Sequence, residues 1–282
     1  MVRYQESRLQ TFDKLSLYTQ WWYPQDSPKA IVVIIHGSFE HSGRYNHVAL
    51  YLVNHGYAVY AFDLRGHGKS EGERAFIPSF EVLIKDLGIF LDFLKRQDST
   101  KPIFLLGHSS GGCIALFFEI MHRPTGVKGM VLCAPALRMK KGIGLFARSI
   151  AFITGYLFPR LKLHKLDSRF LSHDQQAISF YNNDPLVYRE KLLAGTVSGF
   201  LHSVNKICSQ LEKIDLPLFI LHGAQDRIVD IAGSKLLYNK SRSLDKTFKI
   251  YQNCYHELFN EPDKELALKD VVSWLDAHST PA

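Results

Sequence analysis

The sequence predicts an α/β protein: a mostly parallel central sheet, helices on both of its faces, and a helical insertion between two strands. Three observations carry that expectation. Short runs of β-branched and aromatic residues recur, and each ends in a turn-forming cluster. Helical patterns fill the gaps, so strands and helices alternate as they do where a parallel sheet is covered on both sides. One long stretch, 138–205, holds no convincing strand and is rich in Phe, Leu, Arg and Lys.

Taken in chain order, RLQTFDKLSLYTQWWYP (8–24) alternates weakly, shows no helical period and reads as a hairpin at the sheet edge. The runs IVVII (31–35), AVYAF (58–62), IFLL (103–106), MVLC (130–133), LFIL (218–221) and FKIY (248–251) are apolar on both faces, as buried parallel strands are. They end at HG, DLRGHG, GHSSG, APA, HGAQD and QNCYH. In SFEVLIKDLGIFLDFLKRQ (79–97), Leu83, Leu87, Phe90 and Leu94 form one stripe, with Glu81, Lys85, Asp92 and Lys95 off it. PDKELALKDVVSWLDAH (262–278) opens with Pro262 near a first helical turn and repeats apolar residues at Leu268, Val271, Val272 and Leu275. The organisation expected is a core from 1–137 and 206–282, interrupted by the insertion 138–205.

Composition narrows the function. With 282 residues and 46% hydrophobic content, the chain can bury one large core but not several. The net charge of +7 comes with no run of five basic residues and no nucleic-acid motif, so nucleic acid is not an expected partner. If an anionic partner exists, a lipid surface is the better choice. The cysteines Cys113, Cys133, Cys208 and Cys254 form no CxxC pair, which fits reduced thiols in a cytosol. The first residues, MVRYQESRLQTFD, lack the apolar segment of a signal peptide. The apolar stretch 142–158 is 17 residues long and carries Arg148, which suits a surface-lying helix better than a membrane span. His256-Glu257 lacks the second histidine of a zinc helix, and His36 and His41 lack a third ligand, so no metal is expected.

The sharpest motif is GHSSG (107–111). By chance alone about one chain in ten of this length would contain G-x-S-x-G, so the context matters more than the pattern. Ser109 stands between an apolar strand and a helix-forming run, where a strand–turn–helix elbow would raise its hydroxyl. A serine needs a base and a carboxylate to orient that base, and the order expected for this elbow is serine, carboxylate, histidine. Asp226 follows LFIL and His256 follows FKIY. The rivals are weaker. Asp230 reads as the N-cap of the helix over AGSKLLYNK, and His278 lies in a polar tail. His108 adjoins the serine and is expected to face the pocket. The oxyanion formed at an attacked carbonyl needs two backbone N–H groups; Ser110 and Ser38, on the loop HGSFEHSGRY, are the candidates.

The segments HGSFEHSGRY, FDLRGHGKSEGER, FLLGHSSGG, NNDPLV, LHGAQD and DKTFKIYQNCYHELFNE resemble, in order and spacing, the monoacylglycerol lipase and lysophospholipase branch of the α/β-hydrolases. The resemblance covers nearly the whole chain from about residue 15. It implies the α/β-hydrolase fold with a helical cap insertion and a Ser109–His256–Asp226 triad. It also implies oxyanion donors at Ser38 and Ser110, and Glu40, His108 and Tyr181 near the glycerol end of the pocket. Phe39 departs from the family's frequent glycine, and Ser110 from its frequent methionine.

The expected reaction is ester hydrolysis through an acyl-enzyme, on monoacylglycerols or lysophospholipids, with no cofactor. A short-chain esterase, a thioesterase, an acyltransferase and a proline-type aminopeptidase remain alternatives, as does a scaffold without turnover. Within the cap, Leu145, Phe146, Ile150, Phe152, Ile153, Leu157 and Phe158 either form an apolar portal or pack on the core. Arg148, Arg160, Lys162 and Lys165 are placed to meet phosphates at its rim. The protein is expected to be cytoplasmic and transiently peripheral to a membrane. Its oligomeric state is not legible.

Overall fold

A computed structural model describes residues 2–77, 79–98, 100–124, 126–140, 152–163 and 165–279. The sheet has eight strands: β1 (Arg3–Gln10), β2 (Ser16–Tyr23), β3 (Ile31–Ile35), β4 (Ala58–Phe62), β5 (Ile103–His108), β6 (Val127–Cys133), β7 (Leu218–Gly223) and β8 (Lys246–Tyr251). Their order across the sheet is β1-β2-β4-β3-β5-β6-β7-β8. β1 pairs antiparallel with β2, and β2 with β4; all later pairs are parallel. The N-terminal hairpin does lie at the edge. Lys14 turns it with φ 67°.

The helices are α1 (Asn46–Asn54), α2 (Phe80–Gln97), α3 (Ser110–His122), α4 (described over 152–157), α5 (Gln175–Asn183), α6 (Ala194–Cys208), α7 (Ile231–Lys240) and α8 (Lys264–Ser279). Successive residues of a strand face opposite sides of a sheet, so each buried strand feeds two cores. Ile31, Val33 and Ile35 pack with residues of α2 and α3, while Val32 and Ile34 pack with α1 and α8. Leu83, Leu87, Phe90 and Leu94 are all fully buried, as the stripe on α2 predicts, and Ser79 caps that helix through its hydroxyl.

One expectation changes. β8 is not buried on both faces: Thr247 and Lys249 are exposed, and β8 is an edge strand with a single neighbour. Pro262 lies two residues ahead of α8, which begins at Lys264, near its first turn as expected. Between β6 and β7 the described residues contain α4, α5 and α6 and no named strand, only isolated bridges at Met139 and Lys162. Leu145, Phe146, Arg148 and Ile150 lie outside the described residues.

Candidate active site

In a parallel sheet, side chains and amides converge beyond the carboxyl ends of the strands. β3, β5, β7 and β8 each deliver one part of such a site here. β5 passes into α3 through Ser109, whose φ of 53° and ψ of −117° lie outside the regions a serine prefers. A left-handed φ costs an L-residue roughly 1–2 kcal/mol. Hydrogen bonds hold the strained residue. Its N–H donates to the Cys133 carbonyl (2.9 Å), and its carbonyl accepts from Gly112 (3.1 Å) and Ala136 (3.1 Å). The neighbouring glycines are needed for closeness. A Cβ on Gly111 would lie 2.0 Å from the Ile35 carbonyl oxygen, so the start of α3 presses on the end of β3.

β3 ends in His36-Gly37-Ser38. His36 is fully buried. Its Nδ1–H donates to the Gly37 carbonyl (2.6 Å), and its Nε2 accepts from Leu64 N–H (2.9 Å). Burial pushes its pKa down to about 3, so the ring serves as a neutral brace. His41 donates instead toward Asp184 (2.8 Å), which ties the loop to the end of α5. The Ser38 hydroxyl donates to Ser110 Oγ (2.9 Å), so the two expected oxyanion residues touch. Among the described residues neither of their amide N–H groups has a protein acceptor. Phe39 adopts φ 72°, a conformation in which glycine would be unstrained.

The segments after β7 and β8 carry Asp226 and His256. Asp226 Oδ1 accepts from Ile228 N–H (2.8 Å) and Val229 N–H (2.9 Å), and Oδ2 lies 2.7 Å from His256 Nδ1. Burial alone would raise the Asp226 pKa, but His256 and His222 outweigh it and hold the carboxyl well below the usual carboxylate range. Burial alone would lower the pKa of His256, but the adjacent Asp226 charge overcomes it and the pKa is raised. His108 lies beside it, ring centroids 4.7 Å apart, and burial pushes its pKa down to about 3. Of the two rings, His256 is the one whose pKa is raised. The rivals fall away: Asp230 caps α7 through Ala232 N–H (3.0 Å), and His278 packs on Trp274 and pairs with Asp245 (2.8 Å).

Ser109 and His256 line one cavity, together with Ser38, Ser110, Glu40, His108 and Tyr181, so of the candidate triad, oxyanion and glycerol-end residues only the buried Asp226 does not border it. Its remaining wall is largely apolar, with Ile77, Phe80, Leu171, Phe200, Leu201 and Ile228 among the lining residues.

The sequence did not reveal what lies behind the polar end. Arg44 donates to both oxygens of Glu257 (2.8 and 2.7 Å) and also to Glu40, with its guanidinium 4.8 Å over the Tyr181 ring. Glu40 Oε1 further accepts from Gly37 N–H (2.7 Å) and Tyr45 OH (2.8 Å). This clamp joins the loop after β3 to the loop carrying His256. Burial would raise Glu257, yet Arg44 brings its pKa down to about 2; burial raises Glu40, which shares that single cation. The Glu40–Arg44 half was readable as an i,i+4 pair in EHSGR; the Glu257 half was not.

The family model described as "Serine aminopeptidase, S33" matches residues 26–263. The chain is 35% identical over 257 residues to the monoacylglycerol lipase of Mycolicibacterium smegmatis, covering 91% of each chain. It is 37% identical over 246 residues to the human monoglyceride lipase, covering 87% of this chain and 81% of that one. The crystal structure of Paleococcus ferrophilus monoacylglycerol lipase superposes with a TM-score of 0.81 at 30% identity, over 98% of this chain and 99% of that chain.

Proposed function

The chain belongs to the monoacylglycerol lipase branch of the α/β-hydrolase superfamily and is a carboxylic ester hydrolase; from that premise we propose that it cleaves monoacylglycerols, with Ser109 as nucleophile, His256 as base and Asp226 as the carboxylate that orients it. His256 Nε2 takes the Ser109 proton as Oγ attacks the ester carbonyl. The oxyanion rests on the Ser38 and Ser110 amides; one such donor is worth about 2.7–4 kcal/mol in comparable enzymes. The glycerol leaves with the proton from His256, and water repeats the cycle on the acyl-enzyme.

One observation carries the substrate assignment. Apart from the serines and histidines of the site, the described lining is mostly apolar; the polar end carries Glu40, Glu257 and Tyr181, with no Lys or Arg on the wall. Arg44, behind that end, is already taken up by carboxylates. Such an end suits a neutral polyol and offers nothing to a phosphate. Monoacylglycerol should therefore exceed lysophosphatidylcholine of the same acyl length by more than about tenfold in kcat/KM, some 1.4 kcal/mol of transition-state binding. Equal or reversed values across an acyl-length panel would return the lysophospholipase reading.

The pH profile follows from the base. His256 works only when neutral, and its pKa is raised above 6.5 by Asp226, with Glu257 and Glu40 adding to it. The acid limb of kcat/KM should therefore fall above pH 6.5, and Glu257→Gln, which removes one buried negative charge beside the ring, should shift it downward. His108 faces the same ring and is unchanged in that variant. Stability runs the other way. A raised histidine pKa stabilises the fold fully below 6.5, and that contribution is lost as pH rises through the folded value. A limb below pH 6.5, or one that Glu257→Gln leaves in place, would contradict this.

We further propose transient docking on a membrane through the segment around α4. No helix among the described residues is long and apolar enough to cross a membrane. Ile153, Tyr156, Leu157, Phe158 and Leu161 are nevertheless all at least half exposed, Tyr156 at 86%. Phe152 is not among them; it is half-buried. Arg160 is paired with Glu73 (2.9 and 2.7 Å), so Lys162 and Lys165 are better placed than Arg160 to meet phosphates. Anionic vesicles should co-sediment the protein at low salt and release it at high salt, and Leu157→Asp with Phe158→Asp should weaken the binding at least about tenfold.

A further inference from the structure

Asp226 has a second histidine. His222, on β7, places Nε2 3.3 Å from Asp226 Oδ2, the same oxygen that receives His256. Its Nδ1 lies 2.8 Å from the Ser234 hydroxyl on α7. His222 and Ser234 are fully buried and Asp226 is 2% exposed, which leaves no room for solvent to compensate a misplaced proton. The tautomer follows from this. With the proton on Nδ1, the Nε2 lone pair would face an anionic oxygen with no other partner in reach. With the proton on Nε2, the Ser234 hydroxyl donates to Nδ1, and Nε2–H faces the carboxylate charge that attracts it. The Nε2 contact is poorly aligned for a hydrogen bond; it acts as a charge–dipole contact in a buried place where such contacts are strong.

We propose that His222 is a positioning residue for the reaction: its Nε2–H, fixed by the Ser234 hydroxyl, holds the Asp226 carboxylate in the orientation that presents Oδ2 to His256. The chain of contacts runs Ser234–His222–Asp226–His256, with the catalytic serine at the far end. Oδ1 is fixed by two backbone amides and Oδ2 by two imidazoles, so the carboxylate cannot rotate without losing contacts on both oxygens. The inference rests on the assignment of Asp226 to the triad.

The test measures kcat and KM on a soluble ester, per active site titrated with a fluorophosphonate, so that loss of folded protein does not enter the rate. His222→Met, which keeps the volume and removes the donor, should lower kcat about tenfold while KM moves less than twofold. His222→Gln, whose amide can donate from nearly the same place, should restore kcat to within about threefold of the native value, a rescue that a purely structural role would not give. Ser234→Ala should lower kcat about threefold, and adding it to His222→Met should cost nothing more, because the hydroxyl acts only through the ring. Equal rates for the Met and Gln variants, or losses that multiply in the double variant, overturn the proposal. If His222→Met does not fold, Ser234→Ala decides alone, and an unchanged kcat is the negative result. Asp226→Asn, run in parallel, should lose about 10⁴ in kcat. If it keeps its activity, the triad assignment has failed, and not the role of His222.

Discussion

Ser109→Ala should lower kcat for monoacylglycerol hydrolysis by about 10⁶ and leave the fold intact. The hydroxyl is the only group removed, and without it no acyl-enzyme can form. The residue stays at φ 53°, so alanine bears the same backbone strain as serine, and the amide bonds to Cys133, Gly112 and Ala136 do not involve the side chain. The melting temperature is expected to change little. Residual hydrolysis should remain about 10³–10⁴ above water, from the oxyanion amides and substrate binding. Labelling by a fluorophosphonate probe should vanish with the hydroxyl. A variant that still labels, or still turns over at a tenth of the native rate, would move the nucleophile elsewhere.

The largest stability loss is expected from Arg44→Met. Arg44 is one cation held between two buried carboxylates, Glu40 and Glu257. Removing one partner of a buried ion pair typically costs about 3–5 kcal/mol, because a carboxylate is left without compensation. In a chain of this length that corresponds to a fall in Tm of about 5–9 °C at neutral pH. The pH dependence has a definite sign. Glu257 has a folded pKa brought down to about 2 by Arg44, so its stabilisation is fully present above its ordinary 4.5 and is lost as pH falls toward 2. The deficit of the variant should therefore be widest near neutrality and narrow in acid. Adding Glu257→Gln to Arg44→Met should recover part of the loss, since the two residues are in contact. Activity should fall as well, because the clamp sets the loop carrying Ser38 against the loop carrying His256. Thermal scans of the three proteins at pH 4 and pH 7.5 would check this; equal deficits at both values would deny the clamp its electrostatic character.

Much of this architecture was legible because buried parallel strands and amphipathic helices leave strong local patterns. IVVII and AVYAF became β3 and β4 with unchanged ends, and the stripe from Leu83 to Leu94 is the buried face of α2. The residues of the site were readable for a related reason: each sits one turn beyond an apolar run, and the order serine, aspartate, histidine is set by the fold's connectivity. What escaped is contact between segments far apart in the chain. Arg44 and Glu257 are separated by 213 positions, and nothing local to either announces the other. His222 stands at a strand end in the sequence, yet the contact proposed for it depends on Ser234 reaching it from α7, a packing detail without periodic signature. FKIY is apolar enough for a buried strand, while the place of β8 at the edge is decided by topology alone.

The strand order has a temporal consequence. β5, with its elbow, lies near the middle of the sheet and is made early, whereas β7 and β8 join at the far side and are made last. A domain folds as one unit, so the hydroxyl of residue 109 and the imidazole of residue 256 come into register together, when the sheet closes. On the proposed assignment, lipid cleavage would thus switch on only when translation has passed residue 256 and the last strand has docked.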